Sequence, residues 1–452
     1  MKSKIYLILF LFLISVLPVF AEKETPPEGG RPRDFNLPPK KTKSLPNGLE
    51  AVLVSYGEAP KVTVSAIVKT GNLHEAAQEV WLADLTADMM REGAAGMDFQ
   101  TIARKAAAMG GELSVSVSRT EAVVSTSVLS EFADQAIQMV GDVLTRPTFP
   151  EPELARLKND LKRQLNVQKS VPQNQASEKF SALLYPDQAY GRMFPTEQIL
   201  DSFDITKVKA FYDSNFGARR TKVYVVGKFS HEPAVKAIEQ AFGEWRKGPA
   251  VNYPEAKPSF VKQSGTIERQ GAPQTTILLG LPVIAPSNPD YVALRVANAL
   301  LAGSFGSRIT SNIRENKGYT YSPAGVLQAG VGTAVWYEQA DVTSEHTAAA
   351  LKEIHKEIER LQNEAPSAQE LLGIQNYVAG VFVLQNSSPS GIINQLHFQD
   401  LHGLPADYLT TYVKKVYAVT PEKVQQMVKS HMKADQMTLV MVGDKKYLVA
   451  QQ

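Results

Sequence analysis

Two stretches of this chain repeat at a fixed distance, and that repetition constrains the fold more than any other feature of its 452 residues. Val208 stands in Ile205-Thr206-Lys207-Val208, ahead of a β-branched strand from Thr221 to Val226 that ends at Gly227. Val424 stands in Pro421-Glu422-Lys423-Val424, ahead of a strand from Met437 to Val442 that ends at Gly443. Both pairs of equivalent positions are 216 residues apart, and an offset of 212 superposes Thr276 to Leu281 on Val64 to Lys69, each leading into a helical segment. Matching offsets over such a distance mark a duplicated unit, because independent propensities would not keep step.

Within the first copy, strand and helix patterns follow one another. Leu45-Pro46-Asn47-Gly48-Leu49 reads as a turn before the strand Glu50 to Ser55, and Val62 to Thr70 is a β-branched strand closed by Gly71. Helical spacing follows at Trp81, Leu82, Leu85 and Met89, and again from Phe99 to Met109. Leu113 to Val117 and Ala122 to Val128 alternate as strands, and helices are expected over Phe132 to Leu144 and Glu153 to Lys169. The class this predicts is α+β: two homologous halves, each a mainly antiparallel sheet with helices packed on it. The halves are placed at residues 44–246 and 265–452, joined by a linker over 247–264 that holds Pro249, Pro254 and Pro258.

Ahead of the first half, Lys2 and Lys4 precede the apolar run Ile5 to Val19, and Val19-Phe20-Ala21 offers small residues where a leader would be cut. Residues 1–21 read as a secretory signal peptide, the run being short for a bilayer span. Residues 22–43, with Pro26-Pro27-Glu28-Gly29-Gly30 and Pro38-Pro39-Lys40-Lys41, read as a disordered Pro/Gly-rich arm. An exported chain without a membrane span, periplasmic in a bacterium, is expected. Without the leader, 46 basic residues face 46 acidic ones, which argues against nucleic acid as a partner. The chain has no Cys, so thiolate catalysis, Cys-ligated zinc and disulfides are excluded.

The chemistry is sought in the loop and helix that follow the strand Val62 to Thr70. Gly71-Asn72-Leu73-His74-Glu75 has the form G-x-x-x-E, and Trp81-Leu82-Ala83-Asp84-Leu85-Thr86-Ala87-Asp88-Met89 follows it. In the second copy, Ala302-Gly303-Ser304-Phe305-Gly306-Ser307-Arg308-Ile309 leads into Asn312-Ile313-Arg314-Glu315-Asn316-Lys317-Gly318-Tyr319-Thr320-Tyr321. Two such halves resemble the pitrilysin/insulinase family of zinc peptidases, the inverzincins, from Lys43 onward. In that family the helix reads L-A-H-L-x-E-H-M, carrying H-x-x-E-H. By this resemblance Asp84 stands at the first zinc His, Ala87 at the catalytic Glu and Asp88 at the second His. The third ligand falls near Gln164. The second stretch is similar to the family's G-x-x-x-S-R-L…L-R-E-x-x-G-x-x-Y, whose Arg and Tyr reach over to the substrate; Arg314 and Tyr321 match those two.

Without the resemblance, the residues at the first site still disfavour hydrolysis. A hydrolytic zinc site needs three His or carboxylate ligands and a base for the metal-bound water. Asp84 and Asp88 are i,i+4 and share a helix face, but Ala87 cannot take a proton and Gln164 is a poor uncharged ligand. None of the seven His residues forms an i,i+4 pair elsewhere, and His74 reads as an exposed polar loop residue. The aspartates are thus expected to be a solvated or hydrogen-bonded vestige, with no metal in this chain. Arg314 and Tyr321 remain as substrate-binding candidates, since a guanidinium offers a rigid fork of donors and a phenol can stabilise an oxyanion. The resemblance then implies a non-catalytic subunit of an exported heterodimeric zinc peptidase that degrades or processes peptides. Its partner would be a homologous subunit with intact H-x-x-E-H and the zinc, and the two would share an unstructured peptide substrate. Two rivals stand beside it: a pseudo-enzyme scaffold or binding protein with no catalytic role, and a hydrolase using Asp84, Asp88 and a further ligand.

Overall fold

The computed structural model describes residues 35–448, with Gly30 and Pro32, so the expected leader over 1–21 lies outside the described residues. Residues Met1–Arg31 form a unit of their own, of which Gly30 alone is described, and Pro32–Gln452 form a second compact unit. The second unit contains two large sheets. The first joins β1 (Lys40–Ser44), β2 (Glu50–Ser55), β3 (Lys61–Val68), β6 (Leu113–Val117), β7 (Ala122–Leu129) and β8 (Thr221–Gly227) in the order β1-β2-β8-β3-β7-β6. Between β3 and β6 lies a two-residue ladder of β4 (Gly93–Ala94) with β5 (Met97–Asp98). The second sheet joins β9 (Ser264–Glu268), β10 (Gln274–Val283), β11 (Ala324–Gly330), β12 (Thr333–Thr343) and β13 (Thr438–Gly443) in the order β9-β13-β10-β12-β11.

The two orders superpose strand for strand once β1 is set aside. β2 runs parallel to β8, and β9 parallel to β13, while the other ladders of both sheets are antiparallel. β8 and β13 end at the two glycines, Gly227 and Gly443, that marked the repeat. The strand expected over Val62 to Thr70 stops at Val68, and the other strands and helices expected from the sequence begin and end within a few residues of those bounds.

The arm differs from expectation at its C-terminal end. Residues 40–43, assigned to the disordered arm, form most of β1, which pairs with β2 from Lys40↔Val54 to Ser44↔Glu50. An edge strand needs backbone partners on one side only, and its lysines stay in water, so few apolar groups suffice there. Phe35, further back, is buried and packs edge-on against Phe382, their ring centroids 5.7 Å apart.

The central strands leave no face to solvent: β3 is buried from Val62 to Val68, and β13 along its whole length. A strand of that kind must be covered on both sides. On one side of the first sheet, Val62, Val64, Ala66 and Val68 pack with Leu85, Met89, Ile137 and Ile238 from helices of the same half. On the other, Val52, Val54, Ile67 and Val226 join the core of the second half, where helix Pro389–Leu401 supplies Ile392, Ile393 and Leu396. The second sheet mirrors this: helix Pro172–Leu184, from the first half, lays Ala176, Phe180 and Leu184 on Leu278, Val440 and Val442. The two crossing helices start 217 residues apart, each with Pro in its first turn, so they belong to the repeat. Each half thus lends one helix to the other's sheet. A fully buried Phe or Leu side chain is worth about 1.5–3 kcal/mol, so both halves draw part of their stability from the exchange.

Residues 246–263 contain no helix or strand but are held down at several points. Arg220 Nε donates to Ala250 O at 3.0 Å, and Tyr253 Oη to Thr120 O at 3.0 Å. Lys257 exchanges two hydrogen bonds with the Gln188 side chain.

Candidate functional site

Gly71 opens the loop that would precede a zinc helix. A Cβ there would lie 2.2 Å from Ser118 O, so the close approach of the β6–β7 turn requires glycine. The carbonyls of Ser118 and Arg119 accept from Asn72 N and Leu73 N, which locks the loop to that turn. Glu75 then folds back onto the start of helix Leu82–Glu92, its carboxylate accepting from Trp81 N at 3.1 Å and Ala83 N at 2.8 Å. Trp81, the N-cap, holds a left-handed conformation (φ 73°) to allow this, a strained position for a bulky residue. Burial pushes the Glu75 carboxyl up to about 8; the Ala83 amide opposes this and Asp84 adds to it.

Asp84 and Asp88 project from the same helix face. Asn72 Nδ2 donates to Asp84 Oδ2 at 2.7 Å and to Glu75 Oε1 at 3.1 Å, bridging the two carboxyls. Burial raises Asp84 to about 6, against the Asn72 hydrogen bond and with help from Asp88. Burial also raises Asp88, opposed by Arg91, whose Nη2 is 3.7 Å from Asp88 Oδ1. Ala87 is buried and offers a methyl group where the family has its base, while Gln164 is exposed on helix Leu154–Ser170. Among the described residues no three His, Asp or Glu side chains are grouped to hold a metal ion. The donors do not fit a hydrolytic zinc: one carboxylate is already engaged by an amide, and the third ligand and the base are missing.

His74 is not the exposed loop residue expected. It is half-buried, its Nδ1 accepting from Gly71 N at 3.2 Å and its Nε2 lying 2.7 Å from Asn252 O. Its ring also lies against Tyr253, with centroids 5.3 Å apart. Burial lowers its pKa, and the neutral Nε2–H tautomer satisfies both hydrogen bonds. Its role is to fasten the linker to the loop.

In the second half, the stretch around Arg314 winds as two π-helical turns, Ala299–Gly303 and Ser311–Asn316, a distortion that often accompanies a functional position. Arg308 anchors it through a forked pair to Glu370, with Nε–Oε1 and Nη2–Oε2 both 2.8 Å. Gly318, at φ 66°, turns the chain back so that Thr320 bridges to Val342 on β12. The result brings the two predicted residues together: the Arg314 guanidinium lies 4.5 Å from the ring centroid of Tyr321 and 4.5 Å from that of Phe305. Tyr321 is 77% exposed and Phe305 66%, so Arg314 is held between two rings that stand in solvent. Phe305 escaped the sequence reading; an aromatic between Gly303 and Gly306 was its only signal there.

Residues 51–195 match the family described as insulinase (peptidase family M16), and residues 202–378 match the peptidase M16 inactive domain. The chain belongs to peptidase family M16, the insulinase family, and its sequence contains no H-x-x-E-H. It is similar to an uncharacterized zinc protease, YmxG, of Bacillus subtilis: 26% identical over 318 residues, 68% of this chain and 77% of that one. It is also similar to the non-peptidase homolog YmxG of Helicobacter pylori, 22% identical over 376 residues, 81% of this chain and 85% of that one. Among solved structures, a peptidase M16 inactive domain from Pseudomonas fluorescens superposes with a TM-score of 0.82 at 25% identity, over 91% of this chain and 99% of that one. The periplasmic protease PqqL from Escherichia coli shares the fold, with a TM-score of 0.78 at 18% identity, over 95% of this chain and 48% of that one.

Proposed function

We propose that this chain is the non-catalytic, substrate-binding subunit of an exported heterodimeric zinc peptidase. The observation that carries this reading is an asymmetry: the first half has lost the zinc donors, while the second keeps the partly exposed Arg314 stacked on a Tyr321 ring that faces solvent. An isolated stabilising contact would not need two large rings left in water. In the complex, the partner subunit supplies H-x-x-E-H and the zinc. Arg314 offers its free N–H donors to peptide carbonyls, pre-set by the flanking rings, and the Tyr321 hydroxyl points its proton at oxygen that becomes negative during attack. The leader pattern at the N-terminus supports export, and likeness to a periplasmic protease favours that compartment. Residues 44–246 and 265–452 are assigned as the two peptidase-like domains, with 247–264 between them.

Steady-state kinetics on the reconstituted complex tests this, with size-exclusion chromatography reporting assembly. Arg314→Ala and Tyr321→Phe are expected to leave assembly intact and slow peptide cleavage by about a hundred- to a thousand-fold, the usual loss for one donor aimed at transition-state charge. If both variants assemble and cleave like the parent, the pair is structural and the chain is a scaffold.

A further inference from the structure

A cavity of about 260 Å³ lies between the halves, walled by the β6–β7 turn, helix Pro172–Leu184 and the β11–β12 hairpin. Its walls are pinned across the junction. Tyr190 Oη donates to Val331 O at 3.0 Å, Tyr185 Oη bonds Thr333 Oγ1 at 3.0 Å, and the two tyrosine rings lie 5.3 Å apart. Leu73, Phe180, Leu184 and Val335 make the lining largely apolar, and exposed Ser118 and Gln328 mark its mouth.

Arg119 is the one charged residue of that lining. Its Nη1 donates to Tyr190 O at 2.9 Å and its Nη2 to Ser181 Oγ at 3.4 Å, both neutral acceptors, and no carboxylate pairs with it among the described residues. A guanidinium has five N–H donors, so part of the fork stays available. Burial pulls its pKa down, the mark of a desolvated cation lacking a counter-charge. Two other arginines sheltered from solvent also lack carboxylates, but Arg220 is bonded to Ala250 O and Asn215 Oδ1, and Arg295 lies over the Tyr412 ring. Arg119 faces open volume instead. Its carbonyl accepts from Leu73 N, and its Nη1 and Nη2 bonds to Tyr190 and Ser181 keep the side chain in the wall.

We propose that this cavity binds the C-terminal α-carboxylate of a peptide, with Arg119 as counter-ion and the terminal side chain, an apolar one, against Phe180 and Leu184. One unpaired cation matches one monoanion; a phosphate dianion would be left half neutralised. The volume is below the ~300–1,000 Å³ of drug-sized sites, so it takes the end of a peptide and not its length. Gln328 at the mouth supplies an amide that can pair with the last peptide bond.

The test uses the whole chain without any partner, and leaves Arg314 and Tyr321 untouched, so its outcome is independent of the function proposed above. N-acetyl-Leu-Leu and its C-terminal amide are titrated by calorimetry, and the methyl resonances of Leu73, Leu184 and Val335 report where they bind. The acid is expected to shift those methyls saturably and to bind at least tenfold tighter than the amide, with the preference gone in Arg119→Gln. Equal affinity of acid and amide, absence of shifts at the lining methyls, or an undiminished preference in Arg119→Gln overturns the proposal. Equally tight binding of 4-methylpentanoate, which has the carboxylate and alkyl chain but no peptide bond, overturns the peptide assignment. Should Arg119→Gln fail to fold, the acid–amide comparison on the parent chain decides.

Discussion

Asp400, near the end of helix Pro389–Leu401, ties that helix to the sheet of the other half. Lys222 Nζ donates to its Oδ1 at 2.6 Å, and Lys69 Nζ lies 2.7 Å from its Oδ2. The side chains are 25% exposed for Asp400, 19% for Lys69 and 18% for Lys222. Such a triad has too little water for the ~0–1 kcal/mol of a surface pair, and too much for the ~3–5 kcal/mol lost on breaking a buried one. Lys222 also keeps Glu50 at 3.0 Å, which softens the loss. Asp400→Asn should therefore cost about 2 kcal/mol at neutral pH. At roughly 2–4 °C per kcal/mol for long chains, the midpoint falls by no more than about 4–8 °C. Burial alone would raise the Asp400 carboxyl, but the Lys222 and Lys69 ammonium groups outweigh it and hold the pKa below the usual 3.8. A depressed folded-state pKa adds stability above the unfolded value and loses it as pH falls through the folded one. The gap between parent and variant, measured by urea unfolding, should thus narrow from about pH 5 to about pH 3. A gap absent at pH 7, or unchanged at low pH, would show that the triad does not clamp the halves.

Asp84 has the opposite sign: with its carboxyl raised to about 6, the stability it permits is complete below the ordinary 3.8 and declines as pH rises through 6. Asp84→Asn should gain about 1–3 kcal/mol on the parent between pH 4 and pH 7, again by urea unfolding, and a flat difference contradicts the buried-carboxyl picture. The purified chain should hold no stoichiometric zinc by elemental analysis; one zinc per chain, lost in Asp84→Ala/Asp88→Ala, would reinstate a metal site. Phe180→Ala should cost about 3–5 kcal/mol and lower the main unfolding transition seen by calorimetry. A loss under about 1 kcal/mol would mean that the crossing helix adds little to the second sheet's stability.

The residues of the candidate site could be named from sequence because their chemistry is local. Asp84 and Asp88 share a face through helix geometry alone, Ala87 has no proton acceptor in any fold, and Arg314 and Tyr321 stand in a motif of fixed spacing. What surrounds them was not legible. Glu75 caps the helix that carries Asp84, Asn72 occupies the Asp84 carboxylate, and Phe305 closes the second side of the Arg314 stack. Each is a contact between segments whose separation in sequence carries no signal of approach.

The chain's own residues determined the duplication, the central strands of both sheets and the lack of Cys and of H-x-x-E-H, because apolar period and residue chemistry are written position by position. Only the tertiary structure decided what covers each face. Continuous burial along β3 and β13 demands a second layer, but periodicity cannot say from which half it comes. The exchange of helices Pro172–Leu184 and Pro389–Leu401 and the closing of the cavity beside Arg119 arise when one half meets the other. Burial and pairing belong to that junction, so they can be read only once it has formed.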